Sequence, residues 1–299
     1  MTIKKCFTLL SALALLSSSL FADEIPEPKL RIDNINREKT LPATFRSSND
    51  RVKQNFNKFP SKVGFKDLHI SGSGQFSERG LLEILKRADT QNFAVIDLRE
   101  ESHAFVNGIP LSWHILREHR QERTVVEIQS DEQKRLDEIS HQSSITAYEL
   151  DRQDGGKSYK EEFSLILPVE HTCTEQQLIE KHRGRYLRLG AKDWDALDPK
   201  LIDEYIDFVD SLPEGTWLHV HCMQGRIRTT LFMVIYDIHR NAKQVPLDDI
   251  LKRHAQLGGI DLSEYSSSSV KKSWYDTISK FYDYCRTSDR SEPFSQTSS

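Results

Sequence analysis

Cysteine is scarce in this chain, with four among 299 residues, and no two of them stand as Cys-x-x-Cys. Without that spacing, or a paired Cys/His spacing, a structural zinc site is not expected. Strong compositional bias is missing too: 13 Gly and 10 Pro exclude a collagen-like chain. Beyond the N-terminus no apolar run approaches the roughly 20 residues of a bilayer span, which excludes a multi-span membrane protein. Neither sign of charge dominates, with 41 Lys and Arg against 45 Asp and Glu. A surplus of positive charge, the footprint of non-specific nucleic-acid binding, is therefore lacking, and no nucleic-acid partner is expected. What is there, 37% hydrophobic and 29% charged residues, suits a globule with a sizeable core, as one large domain or one domain with an insertion.

The one long apolar run reads as an export signal. Lys4 and Lys5 precede the Ser-rich apolar stretch 7–20, and Ala22 before Asp23 offers a cleavage point. Removal of residues 1–22 leaves 39 Lys and Arg, a net charge near −6, and three cysteines, Cys173, Cys222 and Cys285. The expected location is periplasmic or extracellular, with no stable membrane insertion after cleavage. An odd number of cysteines in an oxidising compartment points to at least one thiol kept free, and a Cys173–Cys285 disulfide stays open.

Along the chain, residues 23 to about 60 carry no clear pattern. A short strand within 66–76 runs into a Gly/Ser turn. Ser77 caps a helix over 77–88, and Phe93–Leu98 is an unalternating apolar run, the mark of a buried parallel strand. From 121 to 172 the pattern predicts strands at 123–128, 144–150 and 163–167, a charged helix at 131–140 and a turn at 154–157. After 186 the α/β alternation resumes: a strand at 186–189, a helix started by Asp198-Pro199, a strand at 217–220, and helices at 229–240, 247–257 and about 270–285. This divides the chain into a signal (1–22), a main domain (23–120 with 173–286), a small β-rich insertion (121–172) and a disordered tail (287–299). No internal repeat is visible.

The sharpest local signal is His221-Cys222-Met223-Gln224-Gly225-Arg226-Ile227-Arg228-Thr229, between the strand at 217–220 and the helix that follows. Five residues between Cys222 and Arg228 let the loop curl so that successive N–H groups face one anion, with a helix N-terminus behind it. Such surroundings favour a thiolate, which can attack phosphorus. The Arg228 fork can grip two phosphoryl oxygens, and the Thr229 hydroxyl can donate to the sulfur.

This loop resembles that of the cysteine-dependent phosphatases of the protein-tyrosine-phosphatase superfamily, and above all their bacterial branch of protein-tyrosine-phosphatase-like inositol polyphosphatases, or phytases. Ile70-Ser-Gly-Ser-Gly-Gln-Phe-Ser77 is similar to that branch's Ser-Gly-Ser-x-Gln-Phe-Ser segment. Residues 97–108, followed by Ser112-Trp113, are similar to its Asp-Leu-Arg-x-Glu-Ser-His-x-Phe-x-Asn-Gly segment, and Leu257-Gly258-Gly259 also fits. The resemblance spans roughly residues 40–285. It implies an α/β fold: a protein-tyrosine-phosphatase-like central sheet flanked by helices, here with a small β-rich insertion. It also implies hydrolysis of inositol polyphosphate monoesters through a phosphocysteine, with no metal or cofactor, because Arg228 and the loop amides stabilise the charge.

The resemblance places a general acid on a loop about thirty residues before the cysteine. Asp193 fits that place, Asp195 is the alternative, and Asp198 is better read as a helix cap. It further gives His221 a supporting role through hydrogen bonds to the loop backbone. Substrate contacts are expected from the loop residues Met223 to Ile227, from Lys192 and Trp194 beside the acid, and from Arg46 and Asp97. Lys252, Arg253, His254, Lys271 and Lys272 are softer candidates, and Arg99 reads as structural. A neutral Asp and an ionised Cys are needed together, so a bell-shaped pH profile with a mildly acidic optimum is expected.

The chain departs from the branch in two places. Ile227 replaces the second Gly of His-Cys-x-x-Gly-x-Gly-Arg-Thr and fits only if that position has negative φ. Trp194 stands where relatives tend to have His, which bears on substrate preference. Two other readings remain at this stage: a secreted phosphatase of phosphotyrosine or phosphoinositides, and an inactive phosphate-binding module.

Overall fold

The computed structural model describes residues 28–34, 40–50, 60–114, 122–153, 158–263 and 269–297. Residues 1–22, read as a signal, and the turn at 154–157 lie outside them.

A five-stranded sheet forms the centre. In chain order its strands are β2 (Arg46–Ser47), β3 (Ile70–Ser73), β4 (Phe93–Asp97), β10 (Arg185–Arg188) and β11 (Trp217–His221). Their spatial order is β10-β4-β11-β3-β2, parallel except for β2. The unalternating run of β4 has its reason here, because both faces of the sheet are covered. Ala94 and Ile96 point into one apolar cluster with Leu218 and Val220, while Phe93 and Val95 point into another with Trp217.

The first cluster is closed by α4 (Pro199–Asp210), α5 (Ile227–Asn241), α6 (Leu247–Gln256) and α7 (Ser269–Thr287). The second is closed by α1 (Glu78–Ala88) and α3 (Glu175–Lys181). With Ile96 fully buried between such layers, truncation to Ala would cost about 2–5 kcal/mol. The caps expected of Ser77 and Asp198 are present: Ser77 accepts from the Gly80 N–H, and Asp198 from the Lys200 N–H just before Pro199 enters α4.

A second sheet of six strands runs β8-β7-β1-β6-β5-β9: β1 (Lys29–Ile32), β5 (His103–Val106), β6 (Ile109–His114), β7 (Ser144–Gln153), β8 (Ser158–Pro168) and β9 (Thr172–Cys173). The region expected to be an insertion therefore shares its sheet with β1, β5 and β6, from the flanking main domain, and the three pack around Ile32, Val106, Leu111, Ile145 and Ala147. Within it, the strand expected at 123–128 is instead the start of a helix, α2 (Val125–Ser140). Thr124 accepts from the Glu127 N–H while the Glu127 carboxylate takes the Thr124 N–H, and this capping box outweighs the strand preference of two successive valines.

The tail differs from expectation as well. α7 runs to Thr287, and a last turn, α8 (Phe294–Thr297), seats Phe294 against Phe281 and Tyr284, with its N–H on Asp203. A buried aromatic repays the ordering of a short tail that composition alone would leave loose.

Candidate active site

β11 lies between β4 and β3, so the loop after it emerges where the strand order reverses, at the carboxyl ends of the parallel strands. In open α/β sheets this is where ligands bind. The loop 222–226 leads directly into α5, whose N-terminus has no side-chain cap. Its first-turn N–H groups are thus available to an anion.

What shapes the loop is the set of donors outside it. The carbonyl of Met223 accepts from the Gln75 N–H, and that of Gln224 from the Thr44 hydroxyl. Gly225 O accepts from Arg46, and Arg226 O from Thr230. A trans peptide points its C=O and its N–H in opposite directions. Four carbonyls turned outward therefore turn the N–H groups of residues 224–227 inward. The Gly225 N–H does reach Cys222 Sγ, at 3.2 Å, and the Thr229 hydroxyl donates to the same sulfur at 3.3 Å. Gly225 supplies the bend with φ of +70°, and a Cβ there would stand 2.2 Å from the Gly74 nitrogen. Ile227 is not among the positive-φ residues and opens α5, so its β-branched side chain is accommodated without strain.

Arg228 is buried. Its guanidinium donates to the carbonyls of Leu98 and Ala191 and pairs with Glu101. Burial works against its charge, but Glu101, Cys222 and Asp193 together hold it firmly protonated. Asp193 Oδ1 lies 3.5 Å from Arg228 Nε, and the Asp193 N–H is held by Glu100. Asp195 faces away: its carbonyl accepts from the Trp274 indole and its carboxylate from the Ala196 N–H. Of the two carboxylates considered from the sequence, Asp193 is the one aimed at the loop. Trp194 between them has φ of +59°, which for a bulky residue costs about 1–3 kcal/mol.

The cleft above Cys222 has a volume of about 260 Å³. Met223, Gln224, Arg226, Ile227, Arg228, Asp193 and Trp194 line it, as the sequence suggested, together with Arg31, Glu101, His114 and Ile260, which the sequence reading missed. Glu101 lies inside the 97–108 segment and could have been found there. Arg31 and His114 come from the second sheet, and no local pattern marks them.

Several expected contacts are placed elsewhere. Arg46 is 1% exposed and sits behind the loop, giving its donors to Thr44 O, Gly225 O and the Thr230 hydroxyl. Burial is what pulls its guanidinium down, to about 10. It supports the cradle and does not reach the cleft. Asp97 is also fully buried, accepting from the Tyr186 hydroxyl and lying 3.2 Å from His103 and 3.6 Å from Arg188. Burial alone would raise its carboxyl, yet His103 and Arg188 hold it well below the carboxylate range. Lys192 pairs with the exposed Glu122 and does not line the cleft. Arg253 and His254 are buried on Asp237. Arg99 is structural as expected, tying Asp33 to Gln75.

His221 differs in its partner. Its Nε2 meets Glu175 Oε1 at 2.6 Å instead of the loop backbone, and its ring packs edge-on against Phe76. Glu175, from the first turn of α3, also takes His103 and the Gln75 amide. Burial opposes its ionisation, but the His221 charge and the hydrogen bonds of both histidines bring it to about 2. Asp97, Glu175 and His221 offer three would-be metal ligands within 4.8 Å. The 2.6 Å contact between two of them is closer than about 3.3 Å, the separation of two tetrahedral ligands each about 2 Å from a metal, so the arrangement fits a hydrogen-bonded ion network. Cys173, Cys222 and Cys285 are all free thiols, and Cys173 and Cys285 belong to different apolar clusters.

The family model for protein-tyrosine-phosphatase-like phytases, described by inositol hexakisphosphate, matches residues 96–240, from β4 through the loop and α5. Over those residues the chain is similar to this family. The protein-tyrosine-phosphatase-like myo-inositol phosphatase of Mitsuokella multacida, solved with myo-inositol-(1,3,4,5)-tetrakisphosphate, is similar with a TM-score of 0.82 and 30% identity, over 91% of this chain and 48% of that one. The phytase of Bdellovibrio bacteriovorus, of the same type, has a TM-score of 0.65 and 25% identity, over 91% of this chain and 94% of that one. Effector protein hopD2 of Pseudomonas syringae pv. tomato is 26% identical over 254 residues, 81% of this chain and 53% of its own length. The chain spans about half the length of the effector and of the similar Mitsuokella structures.

Proposed function

We propose that this protein is a cysteine-dependent phosphatase that hydrolyses phosphomonoesters of inositol polyphosphates. The observation that carries the reading is the Cys222 sulfur, which receives the Gly225 N–H and the Thr229 hydroxyl inside a loop whose carbonyls from Met223 to Arg226 turn outward, with Arg228 beside it. Positive and hydrogen-donating groups converge where a phosphoryl group would sit.

In the first step the Cys222 thiolate attacks phosphorus and forms an S–P bond. The P–O bond to the inositol oxygen breaks, and Asp193 donates its proton to that oxygen, so a neutral alcohol leaves. In the second step water attacks phosphorus, Asp193 takes a proton from it, and the S–P bond breaks to return the thiolate and inorganic phosphate. The Thr229 hydroxyl eases departure of the sulfur. Arg228 and the inward amides hold the equatorial oxygens throughout, so the chemistry requires no metal or cofactor. His221 and Arg46 act behind the loop.

Support for the substrate class comes from Arg31 and Arg226 in the cleft, which suit further phosphates of a polyanion, and from the ligand of the similar Mitsuokella structure. The N-terminal sequence supports export to the periplasm or beyond.

The test is phosphate release from inositol hexakisphosphate by the chain from Asp23, with reductant and chelator, beside Cys222→Ser. Release that vanishes in the variant supports the reading. Turnover of a phosphotyrosine peptide in its place would move it to protein substrates, and phosphate binding without turnover of either would make it a binding module.

A further inference from the structure

The cleft is built from two chemically different linings. Arg31 and His114 come from the six-stranded sheet, and Arg226 and Arg228 from the loop and α5. Trp194, Ile227 and Ile260 come from the acid loop, α5 and the segment after α6. The second group is apolar, and it stands next to the acid. A small cavity behind the acid loop is also lined by Trp194 and Ile227, with Trp274, so these side chains are continuous with the core.

Trp194 is the outstanding member. It is 42% exposed, at the mouth of a cleft otherwise suited to anions. Its backbone is left-handed, a conformation that bulky residues avoid unless their surroundings impose it. Those surroundings are visible: the Trp274 indole N–H holds the Asp195 carbonyl, and the two indoles lie 5.9 Å apart, tilted by 49°. The ring is thus held one residue from Asp193, where the leaving group must be.

We propose that Trp194 is a specificity-determining residue, a platform on which the ring of the substrate's leaving group lies by its uncharged face. The inference rests on the phosphatase reading above. Equatorial substituents on a cyclohexane chair project around its rim, and each face carries axial bonds. In myo-inositol only one oxygen is axial, so one face presents C–H groups alone. That face can lie on an indole while the rim phosphates reach Arg31 and Arg226. An acyclic phosphate ester has no such face and gains nothing from Trp194. An aryl phosphate shares the chemistry, as a flat ring without charge on its faces.

The experiment compares kcat and KM of the parent, Trp194→Ala and Trp194→Phe on inositol hexakisphosphate, glycerol 2-phosphate and p-nitrophenyl phosphate. Trp194→Ala is expected to lose about tenfold in kcat/KM on inositol hexakisphosphate, mainly through KM, and less than about threefold on glycerol 2-phosphate, with Trp194→Phe retaining most of the activity. In a Cys222→Ser background, inositol hexakisphosphate should quench tryptophan emission, and Trp194→Phe should abolish the quench. Equal losses on ring and acyclic esters would overturn the proposal and reduce Trp194 to a support of the acid loop, as would an unchanged quench. A parent inactive on inositol hexakisphosphate but showing the same split between p-nitrophenyl phosphate and glycerol 2-phosphate would refute the inositol reading and leave the platform standing.

Discussion

Asp193 Oδ1 stands 3.5 Å from Arg228 Nε, the guanidinium that grips phosphate in the proposed reaction. One residue after Asp193 the chain turns left-handed at Trp194, and Asp195 is fastened to Trp274. The acid is therefore held at the cleft by its neighbours and by Arg228, and a phosphoryl group arriving on Arg228 meets the carboxyl directly.

That placement separates the two aspartates experimentally. Asp193→Asn should lower kcat on inositol hexakisphosphate by about 10²–10⁴-fold, the usual worth of a positioned general acid. On p-nitrophenyl phosphate, whose leaving group departs without a proton, the first step should be nearly unaffected, so the loss should be smaller and confined to hydrolysis of the phosphocysteine, where Asp193 still serves as base. Asp195→Asn should stay within about threefold on both. Steady-state kinetics on the two substrates decides the assignment.

Arg46 should behave as a support and not as a substrate contact. Arg46→Met removes the donors to the carbonyls of Thr44 and Gly225 and leaves the buried Gly225 acceptor unpaired, a cost of about 1–3 kcal/mol. The expected result is a lower melting temperature and a kcat reduced more than tenfold, with KM for inositol hexakisphosphate within about threefold. A large rise in KM with unchanged kcat would place Arg46 in the cleft after all.

Stability should carry the mark of the Glu175 network. Glu175 is held at about 2 against an ordinary 4.5, so its contribution is complete above about pH 4.5 and is lost as pH falls towards 2. Burial and Arg99 push the His103 imidazolium down, but the Asp97 carboxylate lifts it to about 9. Its contribution is complete below about pH 6.5 and is lost as pH rises through 9. Both are present in full between about pH 4.5 and 6.5. Melting temperatures of the parent should plateau there, with Glu175→Gln flattening the acid flank and His103→Asn the alkaline one.

The three thiols should differ in reactivity. Burial pushes Cys173 and Cys285 up to about 11, so few of their sulfurs are ionised near neutrality. Cys222 instead has two donors on its sulfur. Brief iodoacetate treatment at pH 6.5 should inactivate the enzyme with a single carboxymethyl group on Cys222, and inorganic phosphate should slow it. Peptide mass spectrometry reads the position, and label on Cys173 or Cys285 at equal rate would contradict this.

Much of the site was legible because its parts are neighbours in the chain. Cys222, Gly225, Arg228 and Thr229 lie within one strand–loop–helix unit, and spacing alone brings them around an anion. The buried strand β4 was legible for a similar reason, as two covered faces write an unbroken apolar run. Elements were misread where a local signal was small against a propensity: the capping box of Thr124 and Glu127 against two valines, or the single Phe294 in a polar tail.

The amino-acid sequence by itself determined which cysteine and arginine are proposed as nucleophile and phosphate grip, and the parallel sheet that carries them, since each follows from residue type and spacing within a few turns of chain. Only the tertiary structure decided what holds them. Arg46 meets Gly225 across 179 residues, and Glu175 meets His221 across 46. Arg31 and His114 reach the cleft from another sheet altogether. A buried charge looks in the sequence like any other charge. Whether it touches substrate, supports a loop or neutralises a neighbour is fixed by what is packed beside it, and folding alone makes those contacts.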